Sequence, residues 1–219
     1  MRNKFENQLK ELNDSLILMG ALCEDCITYA TQTLLTGNPE MGKNANQMEK
    51  DIDEKEREIQ SLCMKMLLQQ QPVARDLRTI SAALKMITDM ERIGDQGADI
   101  ADIVRHIDLT KSRNTVHIAE MADAVIRMVI DAVGSFVKKD KNLAESVQTE
   151  DDKVDELFQR IKAELIEMIC GGTTHSAEIA EQALETLMVA KYFERIGDHT
   201  VNIAESVLYM LENNPNVEL

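Results

Sequence analysis

The sequence is poor in the residues that punctuate or stiffen β-structure: its 219 residues include nine glycines and three prolines, and aromatics make up 3%. So few turn formers and bulky side chains exclude a sheet-based fold, and the abundance of Ala, Leu, Ile, Met, Glu and Lys points to helices. Positive charge is also scarce. Thirty-nine acids against 24 lysines and arginines give a formal net charge of −15. That balance opposes a general affinity for nucleic acid or anionic lipid, because both present phosphates. A cationic, metallic or protein partner fits better. No apolar run approaches the ~20 residues of a membrane span. The start, Met1-Arg2-Asn3-Lys4-Phe5-Glu6, leads into an amphipathic pattern without a signal-peptide core. A cytoplasmic protein, peripheral to the membrane only through partners, is expected.

Cysteine is sparse too. Of Cys23, Cys26, Cys63 and Cys170, the first two form a Cys-x-x-Cys spaced for redox or metal chemistry. A zinc site wants a second pair and a thioredoxin-like site wants flanking strands, whereas these two lie inside a helical pattern. They read as small hydrophobes of a helix. Catalytic signatures are missing as well. Carboxylate-bundle oxidases use Glu-x-x-His, and none of His106, His117, His175 and His199 has an acid three residues before it. There is no Ser-His-Asp order, phosphate-binding glycine loop or Cys-His pairing, so no enzyme is expected.

What is present is 44% hydrophobic residues, enough to bury a sizeable core, and a legible set of helix boundaries. Asn38-Pro39-Glu40 reads as an N-cap followed by Pro and an acid in the first turn. Gln71-Pro72 interrupts the next helical pattern, so a third helix should begin near Val73. The polar stretch Asp108 to Asn114, Lys138-Lys139-Asp140, and Cys170-Gly171-Gly172-Thr173-Thr174 supply further stops. Apolar residues spaced by three and four, such as Leu77, Ile80, Leu84 and Ile87 or Val154, Phe158, Ile161 and Leu165, give each segment a buried stripe. Six segments of roughly 25 to 40 residues imply an extended antiparallel bundle. Met64, Met66, Met86, Met90, Met168 and Met188 follow these periods and read as core.

An internal repeat organises the chain. Glu91-Arg92-Ile93-Gly94-Asp95 recurs letter for letter 103 residues later as Glu194-Arg195-Ile196-Gly197-Asp198. In-register flanks pair Leu84 with Leu187, Asp99 with Asn202, Ile100 with Ile203, Ala101 with Ala204 and Asp102 with Glu205. Upstream, Glu49-x-x-Ile52-Asp53-Glu54 matches Asp151-x-x-Val154-Asp155-Glu156 at an offset of 102. The fold expected is all-α, two tandem three-helix repeats, 1–108 and 109–219, forming one elongated bundle.

At 100° per residue, Glu91, Asp95, Asp99 and Asp102 fall at roughly 0°, 40°, 80° and 20°, and Leu84 within about 20° of Glu91. The acid row thus continues an apolar stripe, and Glu194, Asp198, Asn202 and Glu205 repeat it above Leu187. The pairs Glu49/Asp53 and Asp151/Asp155 stand one turn apart on the preceding helices. A solvated face is the usual fate of such acids. Duplication and the shared face favour an inter-helix carboxylate cluster, whose repulsion and desolvation call for a cation. An all-oxygen set suits magnesium, manganese, calcium or oxidised iron, and zinc stays on the list of ions to try. His199 points about 100° away from the row and is not counted as a ligand.

The doubled Glu-Arg-Ile-Gly-Asp, the run Gln71-Pro72-x-x-x-Asp76-Leu77-Arg78 and Glu150-Asp151-x-Lys153-Val154-Asp155 resemble the PhoU family of phosphate-transport accessory proteins over nearly the whole chain. The resemblance implies a negative regulator of phosphate uptake and phosphate-starvation signalling. Its partners would be the ATPase of a phosphate ABC importer and a phosphate-responsive histidine kinase. Metal bound by relatives through the acidic motifs would map to Glu49, Asp53, Glu91, Asp95, Asp151, Asp155, Glu194 and Asp198. Asp99 facing Asn202 in the alignment departs from symmetry and argues for unequal halves. A metal-storage bundle and an accessory of a low-affinity phosphate permease are the alternatives. A homodimer is compatible with a long bundle, although no residue pattern points to it.

Overall fold

The computed structural model describes residues 2–70, 72–106, 115–171 and 177–212. They form six helices: α1 (Arg2–Thr36), α2 (Pro39–Gln70), α3 (Ala74–His106), α4 (Thr115–Lys138), α5 (Lys141–Gly171) and α6 (Ala177–Leu211). The longest, at 35 residues, span about 50 Å at 1.5 Å per residue. The boundary near residue 108, His175 and Gly172 to Thr174 lie outside the described residues.

Local chemistry sets the tight connections. Gly37 ends α1 at φ 66°, its N–H bonded to Thr33 O at 2.8 Å, the left-handed helix stop that glycine adopts without strain. Asn38 then caps α2, its Oδ1 accepting from the Glu40 N–H at 3.1 Å. The turn between α4 and α5 repeats this design. Lys139 takes φ 55° in glycine's place, and Asp140 Oδ1 accepts from the Leu143 N–H at 3.1 Å. Pro72 precedes α3, which starts at Ala74, one residue after the expected position.

Each half is a three-helix unit: α2 lies against α1 and α3, and α5 against α4 and α6. The halves join through α1 on α4 and α3 on α6, while α2 and α5 touch only their own half. The result is a four-helix centre flanked by two outer helices, with one continuous apolar core running through all six. Ile80, Ile87, Val154, Ile161 and Leu165 are buried there as expected. Leu77 is not: it is 40% exposed, because it belongs to the first turn of α3 at the end of the bundle. Met66, Met86 and Met90 are core, but Met64 and Met188 are about half exposed, so the methionine stripe is only partly packing. Among the described residues no helix is long and apolar enough to cross a membrane.

The Cys-x-x-Cys pair packs as small hydrophobes do. Cys23 and Cys26 are fully buried, and their thiols donate to backbone carbonyls, Cys23 to Met90 at 3.5 Å and Cys26 to Gly94 at 3.6 Å. Burial pushes the Cys26 thiol up to about 12, with the charge of Glu49 adding to it. It raises the Cys23 thiol further still.

Candidate functional site

The glycine of each repeated motif is where the outer helix closes in. A Cβ on Gly94 would lie 2.9 Å from Ile52 Cδ1, and one on Gly197 2.7 Å from Asp151 Oδ1 and 3.6 Å from Val154 Cγ1. Ile52 and Val154 are repeat equivalents, so α2 crosses α3 and α5 crosses α6 in the same register. That crossing brings the i, i+4 acid pairs of the outer helices beside the motif acids.

In the first half, Glu49, Asp53, Glu91 and Asp95 are all half-buried. Desolvation raises the Glu49 carboxyl above its ordinary range, and the charges of Asp53 and Asp95 push it further. Glu91 is raised by desolvation and then by Asp95, with Arg92 opposing. Asp95 is raised by desolvation, against Arg92, with Asp53 and Asp99 adding. Arg92 is the local cation, its Nη1 3.4 Å from Asp95 Oδ2 and its Nε 3.4 Å from Glu91 Oε2. Arg57, on the outside, stands 3.6 Å from Asp53 Oδ2. In the second half, Asp151 is pushed up to about 6 by desolvation and by the charges of Asp155, Asp198 and Asp152. Glu194 turns to an ion pair with Lys191. Each half therefore sets like charges beside one another at a helix crossing, four half-buried acids in the first and, in the second, half-buried Asp151 beside the exposed Asp155 and Asp198.

The rest of each row departs. Asp99, at the 80° edge, is exposed and serves α6: burial first, then the Asp99 charge and a hydrogen bond to it, raise the Tyr192 phenol. Its equivalent Asn202 likewise crosses to α3, Nδ2 donating to Asp89 Oδ1 at 3.2 Å, and His199 Nδ1 lies 3.0 Å from the same oxygen. Asp102, back at 20°, returns to α2, accepting from Asn46 Nδ2 at 3.0 Å and from Arg105 at 2.8 Å. Glu205 is exposed in the groove between α3 and α6, with Lys85, Asp89, Asn202 and Tyr209. Asp99 and Asn202 thus hold the seam between halves, a duty shared by Asp89, His199 and Tyr192. Those three carry no pattern that marks them in the sequence, because their partners lie on a helix about 100 residues away.

Among the described residues, no three His, Cys, Asp or Glu side chains are grouped so as to hold a metal ion as they stand. By donor chemistry the clusters still suit a hard cation: their donors are all oxygen, and desolvation, with neighbouring carboxylate charge added, raises Glu49 in one and Asp151 in the other. The buried Gln96 Oε1 beside the first cluster has no hydrogen-bond partner.

Two segments, residues 16–104 and 118–207, match the family model described as the PhoU domain. A Clostridium acetobutylicum protein named as a phosphate-specific transport system accessory protein PhoU homolog is 33% identical over 96% of this chain and 95% of its own length. An Aquifex aeolicus protein of the same description is 34% identical over 95% of this chain and 93% of its own. The crystal structure of PhoU from Pseudomonas aeruginosa superposes with a TM-score of 0.86 at 29% identity, covering 94% of this chain and 98% of that one. With the domain found once in each structural repeat and the relatives spanning nearly the whole length, the chain belongs to the PhoU family.

Proposed function

We propose that this chain is a negative regulator of phosphate uptake and phosphate-starvation signalling that acts by binding partners. The observation that carries the reading is end-to-end similarity to proteins named as accessory to phosphate-specific transport, at 33% identity over 96% of the chain. In finer terms, the chain is a cytoplasmic adaptor between the ATPase of a phosphate ABC importer and a phosphate-responsive histidine kinase. It restrains uptake and keeps the kinase non-activating when phosphate is plentiful. Long outer helices engaged only with their own half leave broad faces for partners. The test is alkaline phosphatase reporter activity in phosphate-replete cells lacking the protein. Deletion should derepress the reporter and wild type should restore repression. An unchanged reporter would refute the reading and favour an accessory of a low-affinity permease.

The carboxylate clusters support a second, compatible reading. Glu49, Asp53, Glu91 and Asp95 in one half, and Asp151, Asp155, Glu194 and Asp198 in the other, hold a hard cation that relieves their repulsion. Elemental analysis, together with melts in chelator or with added iron, magnesium, manganese, calcium or zinc, tests it. Absence of both bound metal and metal-dependent stabilisation would dismiss the reading. A homodimer belongs to the same proposal and is checked by solution mass.

A further inference from the structure

The run Asp76-Leu77-Arg78 and the turn before it are used neither by the core nor by the carboxylate clusters. This turn is the tip of the α2–α3 hairpin, and it is apolar and basic on a chain that is otherwise strongly acidic. Leu68 is 79% exposed, Val73 67%, Met64 48% and Leu77 40%. Over residues 61–78 the charged side chains are Lys65, Arg75 and Arg78 against Asp76. These cations make no ion pair among the described residues, and Arg78 Nε is buried without a hydrogen-bond partner. The first turns of α1 and the last turn of α6 stand at the same end, since Lys4 Nζ donates to Gln69 Oε1 at 3.4 Å and Lys85 lies over the Tyr209 ring; they bring Glu6 and Glu212 as well as Lys4, so the basic side chains still outnumber the acidic ones.

The repeat supplies an internal comparison. α3 and α6 cross antiparallel, with Asp99 near Tyr192 and Asp89 bonded to Asn202, so the end of α5 and start of α6 lie at the opposite end of the bundle. Ile166, Ile169 and Leu184 are exposed there too, but their charged neighbours include Glu164, Glu167, Glu178 and Glu181 against Lys162. The apolar exposure is shared by the two ends; the positive charge is not.

We propose that the α2–α3 tip, Met64 to Leu68 with Val73 to Leu77, docks on an anionic phospholipid bilayer, with Leu68 and Val73 entering the headgroup boundary and the exposed Lys65 and Arg75 meeting lipid phosphates. Apolar side chains combined with basic ones are what an interfacial contact requires. The net charge of −15 does not oppose it when the bundle stands on this end. Glu91 lies seventeen positions along α3 from Ala74, about 25 Å of helix, against a screening length of about 8 Å at physiological salt. The acidic clusters are then too far away to be felt, and their repulsion disfavours lying flat, so contact is oriented. A second copy is the competing occupant, with its acidic end on this tip. That contact joins unlike surfaces and does not close, stringing copies into open chains.

The experiment is co-sedimentation of the full-length protein with vesicles of phosphatidylcholine alone or mixed with an equal part of phosphatidylglycerol, at low and physiological salt. The expected result is binding to the mixed vesicles only, weakened by salt. Lys65→Glu/Arg75→Glu and Leu68→Ser/Val73→Ser should each weaken it by at least about tenfold, while Leu184→Ser at the other end leaves it unchanged. All are exposed positions, and unchanged helical melts verify the fold. No binding to mixed vesicles, equal binding to neutral ones, or equal loss in Leu184→Ser would overturn the proposal. So would self-association in the absence of vesicles that the tip variants abolish. The reporter experiment above is read separately, because the regulatory function does not depend on this contact.

Discussion

Replacing Asp151 with asparagine keeps the side chain's size and removes its charge, and the protein should become more stable at neutral pH. Folding places this carboxyl among Asp155, Asp198 and Asp152 in a half-buried setting, with its pKa about 6 against an ordinary 3.8. Because the folded value is the higher one, the protonated form is what favours folding. Its contribution is complete below the unfolded value and is lost as pH rises through about 6. Two pH units correspond to about 3 kcal/mol. Solvent screening at a half-exposed carboxylate reduces this to about 1 kcal/mol. For a chain of this length that is a rise of about 2–4 °C in Tm. The assay is thermal melting of wild type and Asp151→Asn in chelator, at a pH above 7 and at a pH below 4. The variant should melt higher at the first, and the difference should vanish at the second as wild type takes up its proton. A hard divalent cation should raise the melting point of wild type more than that of the variant. A variant less stable than wild type in chelator at neutral pH would refute the reasoning, since Asp151 would then be held by a favourable partner.

Three more outcomes follow from the geometry. Gly97→Ala places a Cβ 2.7 Å from the buried Cys26 Sγ, so overpacking of about 1–3 kcal/mol exceeds the helix-propensity gain of about 1 kcal/mol. Urea denaturation should show the loss, and adding Cys26→Ala should restore much of it. Lys139→Gly relieves the left-handed residue at φ 55° and should stabilise by about 0.5 kcal/mol or more after the entropy of an added glycine, read from the urea midpoint. A maleimide should label only Cys170 in the native protein, because Cys23, Cys26 and Cys63 are buried and burial raises the Cys63 thiol to about 11; denaturant should release all four.

Helix chemistry is local, which is why much of the fold is readable from the chain. The Asn38 cap, the stop at Lys139 and the start of α3 after Pro72 depend on residues within a few positions. The duplicated motif fixes that there are two like units. The acid row was legible as an angle, but an angle says which side of a helix a residue occupies, not which neighbour waits there. Asp95 meets α2, Asp99 some 40° further on meets α6, and Asp102 returns to α2. Asn202 behaves like its equivalent Asp99 for the same reason: its partner is Asp89 across the seam on α3 and not an acid of α5.

By itself the sequence determined an all-helical chain of two three-helix repeats and the placing of repeated carboxylates beside apolar stripes, because periodicity and capping are written in short stretches. Only the tertiary structure decided that Gly94 and Gly197 admit the outer helices at matching crossings, and that α3 and α6 join the halves. It also decided which acids are driven together and which end of the bundle is left apolar and basic. Those outcomes depend on the distances between helices far apart in the chain, and packing of the whole core sets them.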